Sequence, residues 1–285
     1  MMLDFATIFS EIETYVGLFA IFTLLAFLSR GWIGLHWSKD MVKSALTSFG
    51  ILQFNVMFGG IFFIAFFYAK DTYEALKLPY IPEDFWQQIP MPLTWLILLL
   101  VYDIALYWIH RFLHDKWLWP MHAVHHSDED MHFLSWSRGH ALEQTVIAIF
   151  VFLCSAWLGV SIEQFFLLAY LKAMHQYYVH TNIDWSHGPF KMILASPQYH
   201  RWHHANVEEA FDKNFASIFP FIDWIFGTYY YPKTAVDVPT GFQGSPKNDI
   251  IALLAYPFTE WTRMIRRRVK KRSATRTKVE TAEQG

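Results

Sequence analysis

From Ser44 to Ala69 the chain carries no charged residue, and an apolar run of that length leaves few folds open. About 20 apolar residues are what a helix needs to cross the hydrocarbon core of a bilayer, where only helices and closed barrels satisfy every backbone polar group. Three further runs approach the same form: Ile89 to Ile109, interrupted only by Asp103; Gln144 to Ile162, with no charge; and Gln164 to Val179, with only Lys172. Thr14 to Ser29 is shorter and extends at its N-terminal side. With 54% hydrophobic and 19% aromatic residues, the composition agrees with a membrane protein. The expected fold class is all-α: an integral membrane helical bundle of four to five transmembrane helices with a cytoplasmic His-rich helical cap. Residues 1–90 would form N-terminal transmembrane helices, 91–232 a catalytic domain, and 233–285 a C-terminal segment with a basic tail.

The last two runs read as a hairpin. Gly159-Val160 breaks them, and Ser161-x-x-Gln164 has the form of a capping box. Orientation follows from the tendency of Lys and Arg to stay on the cytoplasmic side. Arg30, Lys39 and Lys43 put the first connection inside and the N-terminus outside; Asp71, Glu74, Glu83 and Asp84, against Lys70 and Lys77, put the second loop outside. The remaining spans return the chain to the cytoplasm at His110 and again after Val179, and the basic stretch Arg263 to Arg272 fits a C-terminus inside. About the last dozen residues read as disordered. Asp4, Glu11 and Glu13 stand where a cleavable signal sequence needs basic residues, so none is expected. The setting is an inner or plasma membrane in a bacterium, or an ER-type membrane in a eukaryote.

Three histidine clusters fall beside these runs: His110-x-x-x-His114, His122-x-x-His125-His126 and His200-x-x-His203-His204, holding eight of the fourteen histidines. On a helix, residues i, i+3 and i+4 share a face, so each cluster can aim several imidazoles at one point. Eight neutral imidazoles exceed what one ion accepts, which points to two metals. Neighbouring helical residues point about 100° apart, so each doublet, His125-His126 and His203-His204, can serve one metal with each ring. Pro120, and Ser196 with Pro197, are helix-start signals for the second and third clusters. The topology brings all three clusters to one face of the membrane.

Other residues have suggestive settings. Asp103 shares a helical face with Tyr107, His110 and His114, and a carboxylate inside a span is costly enough to need a partner. Its expected role is to accept a hydrogen bond from a ligand histidine, His180 first by depth, against the alternative of a packing residue. His140, in Arg138-Gly139-His140-x-x-Glu143, and His180, in His180-Thr181-Asn182, are each candidates for a ligand or for a hydrogen-bonded structural histidine. Glu143 and Asn182 join Asp103 as candidate catalytic residues. His175 is a weaker candidate, His36, His132 and His187 read as surface or interfacial, and Lys172 is given no role. Of the aromatics near the clusters, Trp119 and Trp136 among them, most read as membrane-interface anchors. The single cysteine, Cys154, excludes an intramolecular disulfide, cysteine zinc fingers and iron–sulfur clusters. A net charge of −2 gives no sign of nucleic acid, and nothing in the residues sets an oligomeric state.

In order, H-x-x-x-H, H-x-x-H-H, R-x-H-x-x-E, H-x-N and H-x-x-H-H closely resemble the fatty acid hydroxylase superfamily, which includes the sterol desaturases. The resemblance runs from about Asp103 to Thr228 and takes in Asp212-x-Asn214 and the ending Asp223-Trp-Ile-Phe-Gly227-Thr228. It implies a histidine-ligated di-iron centre that uses dioxygen and two electrons to hydroxylate or desaturate a C–H bond of a sterol, fatty acyl, sphingoid or ether lipid. Carried onto this chain, the expected ligands are His110, His114, His122, His125, His126, His200, His203 and His204, with His140 and His180 as candidates for further positions. Two iron ions, a membrane lipid substrate and a separate electron-donor protein follow, the last because no cytochrome b5 domain precedes the first span.

The residues alone are compatible with that chemistry. Attack on an unactivated C–H bond needs a redox-active metal, which zinc is not, and an apolar substrate reaches a site at the membrane boundary from the side. A zinc-dependent membrane hydrolase is the competing reading. A metal transporter needs ligands near the middle of several spans, and a b-type cytochrome needs histidines facing each other across a haem.

Overall fold

The computed structural model describes residues 5–32, 36–232 and 238–282. In chain order its helices are α1 (Phe5–Arg30), α2 (Lys39–Ala75), α3 (Glu83–Gln87), α4 (Met91–Leu113), α5 (Trp119–His122), α6 (Ala141–Leu158), α7 (Ile162–Val179), α8 (Pro197–His203), α9 (Phe221–Ile225) and α10 (Ile250–Ala282). Among the described residues, β structure is limited to an isolated bridge between Ala205 and Thr240. Helices α4 and α6 are long and apolar enough to cross a membrane. Helix α2 runs unbroken through the span expected at 44–69; the side chains at 58–67 and 69 lie outside the described residues, as do those at 5–15 of α1 and 162–163 of α7.

The hairpin between α6 and α7 is set by local chemistry. Gly159 closes α6 in the left-handed region, at φ 63°, and a Cβ there would overlap the carbonyl oxygen of Ile81. That approach is close because Ile81 N donates to Trp157 O at 2.9 Å, stitching the loop before α3 to the end of α6. Two residues on, the Ser161 hydroxyl accepts from Gln164 N at 3.3 Å while Gln164 Oε1 accepts from Ser161 N at 2.9 Å. The capping box read from Ser161-x-x-Gln164 is present in both directions.

Helix α4 positions the site because it packs on two sides. Leu98, Tyr102, Leu106 and Ile109, one helical face, pack with Val151 and Leu158 of α6, Leu168 of α7 and Trp86 of α3. Tyr107 packs instead on Phe215, Ala216, Ile218, Phe219 and Ile222, the loop after the third histidine cluster and the start of α9. A helix held in the bundle by one face thus carries that loop on another, and its last turn delivers His110.

The end of the chain differs from expectation. Helix α10 continues through Ala282, so the reading of the last residues as disordered is corrected over the described part. Ala274, Arg276, Lys278, Glu280 and Ala282 are good helix formers, interleaved with the less favourable Thr275, Thr277 and Thr281.

Candidate metal centre

Each histidine cluster is placed by short-range structure. His110 lies in the last turn of α4 and His114 is its C-cap. Helix α8 starts as the sequence suggests, with Ser196 Oγ accepting from Tyr199 N at 3.2 Å and Pro197 in the first turn. It carries His200 and His203 and ends on His204. The second cluster corrects the expectation of a single helix: α5 ends at His122, and a 3-10 turn, His125–Ser127, holds the doublet. After that turn the chain becomes extended at Asp128, which forms a buried ion pair with Arg138 at 3.1 Å. Asp128 also accepts the hydroxyls of Ser44 and Ser135, each at 2.6 Å. Burial opposes its charge, but Arg138, His132 and the two hydroxyls hold its carboxyl down at about 2.

Nine histidines converge in two groups: His110, His114, His122, His126 and His203 in the first, and His125, His180, His200 and His204 in the second. Within each group the candidate ligand nitrogens lie within 4.8 Å of one another. The two doublets are split between the groups, as their angular separation requires. His126 and His204 stack across the divide with ring centroids 4.3 Å apart, so the groups are immediate neighbours.

Hydrogen bonds on the far side of the rings decide which nitrogens face inward. Nδ1–H of His110 donates to Phe215 O at 2.9 Å, that of His180 to Gln176 O at 2.7 Å, and that of His203 to Lys213 O at 2.8 Å. His122 Nδ1 meets Glu143 Oε1 at 2.8 Å, and His114 Nδ1 meets Asp212 Oδ1 at 3.2 Å. A carbonyl or carboxylate acceptor fixes the proton on Nδ1 and leaves a lone pair on Nε2. Yet Nε2 of His110 lies 3.1 Å from Nε2 of His122, and Nε2 of His180 lies 3.0 Å from that of His200 and 3.2 Å from that of His125. The inward Nε2 atoms of His114 and His203 are buried without a partner among the described residues.

Between His110 and His122, where both protons are fixed outward, the two lone pairs face each other and a cation between them relieves the repulsion. Protons are poor candidates. Burial, and after it the neighbouring imidazoles, lowers the pKa of His122, His125, His126, His200, His203 and His204 well below the ordinary value, and burial pulls that of His180 down to about 3. Metal–nitrogen bonds of about 2.1 Å separate adjacent ligands by roughly 3.0–3.4 Å, which matches the nitrogen spacings here. The donor set is all imidazole, which suits iron, zinc, copper or nickel.

Among the remaining candidates, Glu143 reaches the centre through His122. Three others make their contacts outside the two groups. His140 stands outside both groups, its Nε2 on Leu254 O at 3.1 Å and its Nδ1 accepting from Leu142 N at 3.1 Å as the N-cap of α6. Asp103 touches no histidine. It accepts the backbone N–H groups of Ser217, Ile218 and Phe219 at 2.7–3.1 Å, a local cluster of donors that the carboxylate satisfies better than any imidazole two turns away. Asn182 turns its Oδ1 to Arg30 at 3.0 Å and Arg201 at 2.9 Å, joining α1 to α8 away from the rings. His132, expected at the surface, is buried beside Asp128 and Ser44. Lys172 sits over the Trp136 ring, 3.8 Å from its centroid, and that ring packs on His125 and His180.

Asp223 escaped sequence reasoning except as part of a motif. Its carboxylate accepts the N–H groups of Phe215 and Ala216 at 2.8 and 2.7 Å, the Thr228 hydroxyl at 2.7 Å and the Tyr199 hydroxyl. Asp103 and Asp223 thus grip successive residues of the loop whose Phe215 carbonyl orients His110. The available signal was a second acid, beside Asp103, in an otherwise apolar stretch. A cavity of about 380 Å³ opens on His114, His126 and His203 of the first group and His204 of the second, with Trp119, Phe211 and Phe242 among its walls.

Residues 95–228 match the family model for fatty acid hydroxylase. The chain carries a fatty acid hydroxylase domain. All nine converging histidines lie within it. The chain is 30% identical to alkylglycerol monooxygenase of Homo sapiens over 223 residues, which cover 74% of this chain and 46% of the relative. It is 28% identical to ornithine lipid hydroxylase OlsE of Rhizobium tropici, over 78% of this chain and 66% of that one. With methylsterol monooxygenase 1-1 of Arabidopsis thaliana it shares 31% identity, over 54% and 50% respectively. The chain spans about half the length of the curated relatives it matches. No solved structure matches it.

Proposed function

We propose that this chain is a membrane di-iron oxygenase that hydroxylates or desaturates a C–H bond of a lipid. The observation that carries the reading is the convergence of nine imidazoles in two adjoining groups, five of them with Nδ1 held outward by a carbonyl or carboxylate. His110, His114, His122, His126 and His203 would hold one iron, and His125, His180, His200 and His204 the other. Bound iron supplies dioxygen reduction and oxidation of an unactivated C–H bond, which redox-inert zinc does not. Hydroxylation then places one oxygen atom in the product and releases the other as water, taking up two electrons and two protons; desaturation releases both as water.

The protein's part is positioning. Backbone carbonyls of Phe215, Gln176 and Lys213 fix ring orientation and tautomer, and Glu143 makes His122 a more basic ligand. Trp119, Phe211 and Phe242 line the cavity with apolar surface suited to a lipid segment beside the first group. The domain occupies 91–232 in this reading, with transmembrane helices before it and a basic segment after it. Five spans place the N-terminus outside and the centre on the cytoplasmic face, where a redox protein delivers electrons. The names of the similar proteins support a lipid substrate and set the choice of probes.

The test is turnover of iron-loaded protein with reductant and ¹⁸O₂ on alkylglycerols, ornithine lipids, methylsterols and fatty acyl lipids, read by mass spectrometry. The expected product gains one ¹⁸O or loses two hydrogens, only with iron and reductant present. No oxidised lipid across the panel, together with hydrolysis by the zinc-loaded protein, would favour the zinc hydrolase instead.

A further inference from the structure

Helix α10 carries a feature unrelated to the histidine centre. Its inner side, with Leu253 buried and Tyr256 beside it, packs on Ile51 of α2 and on Val124. Its outer side exposes Ile251, Phe258, Ile265 and Val269, at 81, 54, 53 and 58% of their full accessibility. At about 100° per residue these four fall within roughly 20° of Phe258 to either side, a single stripe about five turns long from Ile251 through Phe258 and Ile265 to Val269. Seven of the ten residues from Arg263 to Arg272 are Arg or Lys, with no acid among them. Arg268 and Arg272 border the stripe on one side, and Arg266 and Lys270 on the other.

We propose that this stripe is an interfacial anchor that lies on an anionic lipid surface. An apolar line flanked on both sides by long basic side chains fits a bilayer boundary. The apolar residues enter the acyl edge while Arg and Lys stems run along it and place their charges among anionic headgroups. A soluble acidic protein would satisfy the charges and leave the stripe in water. The starting level of the helix also fits. Asn248, just before α10, accepts from Thr47 Oγ1 of α2 at 3.3 Å, so α10 leaves beside the first turns of a helix proposed to enter the membrane. The inference uses that membrane placement and none of the proposed catalysis, so the two can fail separately.

The full chain, in a Cys154→Ser background, is labelled with an environment-sensitive fluorophore at Ile265→Cys, or at Arg267→Cys on the opposite side. It is then reconstituted into vesicles of phosphatidylcholine alone or with phosphatidylglycerol. The expected result is blue-shifted emission from position 265 in anionic vesicles, quenched by spin-labelled lipid, while position 267 stays in water. Salt at about 0.5 M, where the Debye length falls below about 5 Å, or glutamine at Arg266, Arg268, Lys270 and Arg272 together, should abolish the shift. A water-exposed probe at 265 in anionic vesicles overturns the proposal. So does equal shielding in neutral vesicles, or shielding that appears only when an acidic redox protein is added.

Discussion

Glu143 Oε1 lies 2.8 Å from His122 Nδ1, and the other oxygen of the same buried carboxylate, Oε2, has no hydrogen-bond partner among the described residues. The carboxylate comes from the first turn of α6, in the membrane bundle, whereas the histidine comes from the four-residue helix α5. One contact therefore sets both the tautomer and the basicity of a proposed ligand. Glu143→Gln keeps the shape and removes the charge. It should fold normally and lose about 10–100-fold in metal affinity or turnover, measured by metal titration beside circular dichroism. Unchanged affinity and turnover would reduce Glu143 to a packing residue.

His180 and His140 were equivalent candidates, each at the cytoplasmic end of a predicted span. The structure puts His180 among His125, His200 and His204, and puts His140 on a backbone carbonyl. His180→Ala should weaken or empty one metal position. His140→Ala should retain both metals and lose only a helix cap, about 1 kcal/mol of stability. Metal analysis of the two purified variants decides, and equal depletion would mean that the grouping is wrong.

Asp103→Asn has a different expected outcome from the one its position beside His110 suggests. The carboxylate binds three backbone N–H groups, and an amide oxygen retains only part of that capacity. The variant should be destabilised by about 1–3 kcal/mol, seen as a lower thermal midpoint in detergent. Activity should fall less than in Glu143→Gln, because Asp103 acts through the loop that carries Phe215. Full thermal stability with lost metal would restore a direct role on a ligand.

Cysteine accessibility tests the five-span arrangement. In a Cys154→Ser background, Ala75→Cys should react from outside and Thr275→Cys from the cytoplasm. Labelling of both from the same side would remove the topology and the argument for electron entry built on it.

What was legible in the sequence is what depends on near neighbours. The box at Ser161 and Gln164, the cap at Ser196 and the splitting of each histidine doublet all follow from residues within one turn of each other, where spacing and geometry are nearly the same thing. What was not legible depends on distant partners. Asp103 meets residues more than a hundred positions away, and Asp128, which ends the turn carrying the second cluster, meets Ser44 of a distant helix. His132 reads as a surface residue because the burial of its neighbour Asp128, four residues before it, depends on Ser44 from a distant helix. Periodicity alone also extended the second cluster as a helix where a 3-10 turn intervenes.

The most direct measurement is the metal content of the purified chain and of the doublet variants. The two-group arrangement predicts close to two metals per chain, about one in His203→Ala and about one in His204→Ala, with different sites emptied in the two, and almost none in the double variant. A wild-type content of one, or complete loss on either single substitution with the fold intact, would contradict the division of nine histidines into two neighbouring sites.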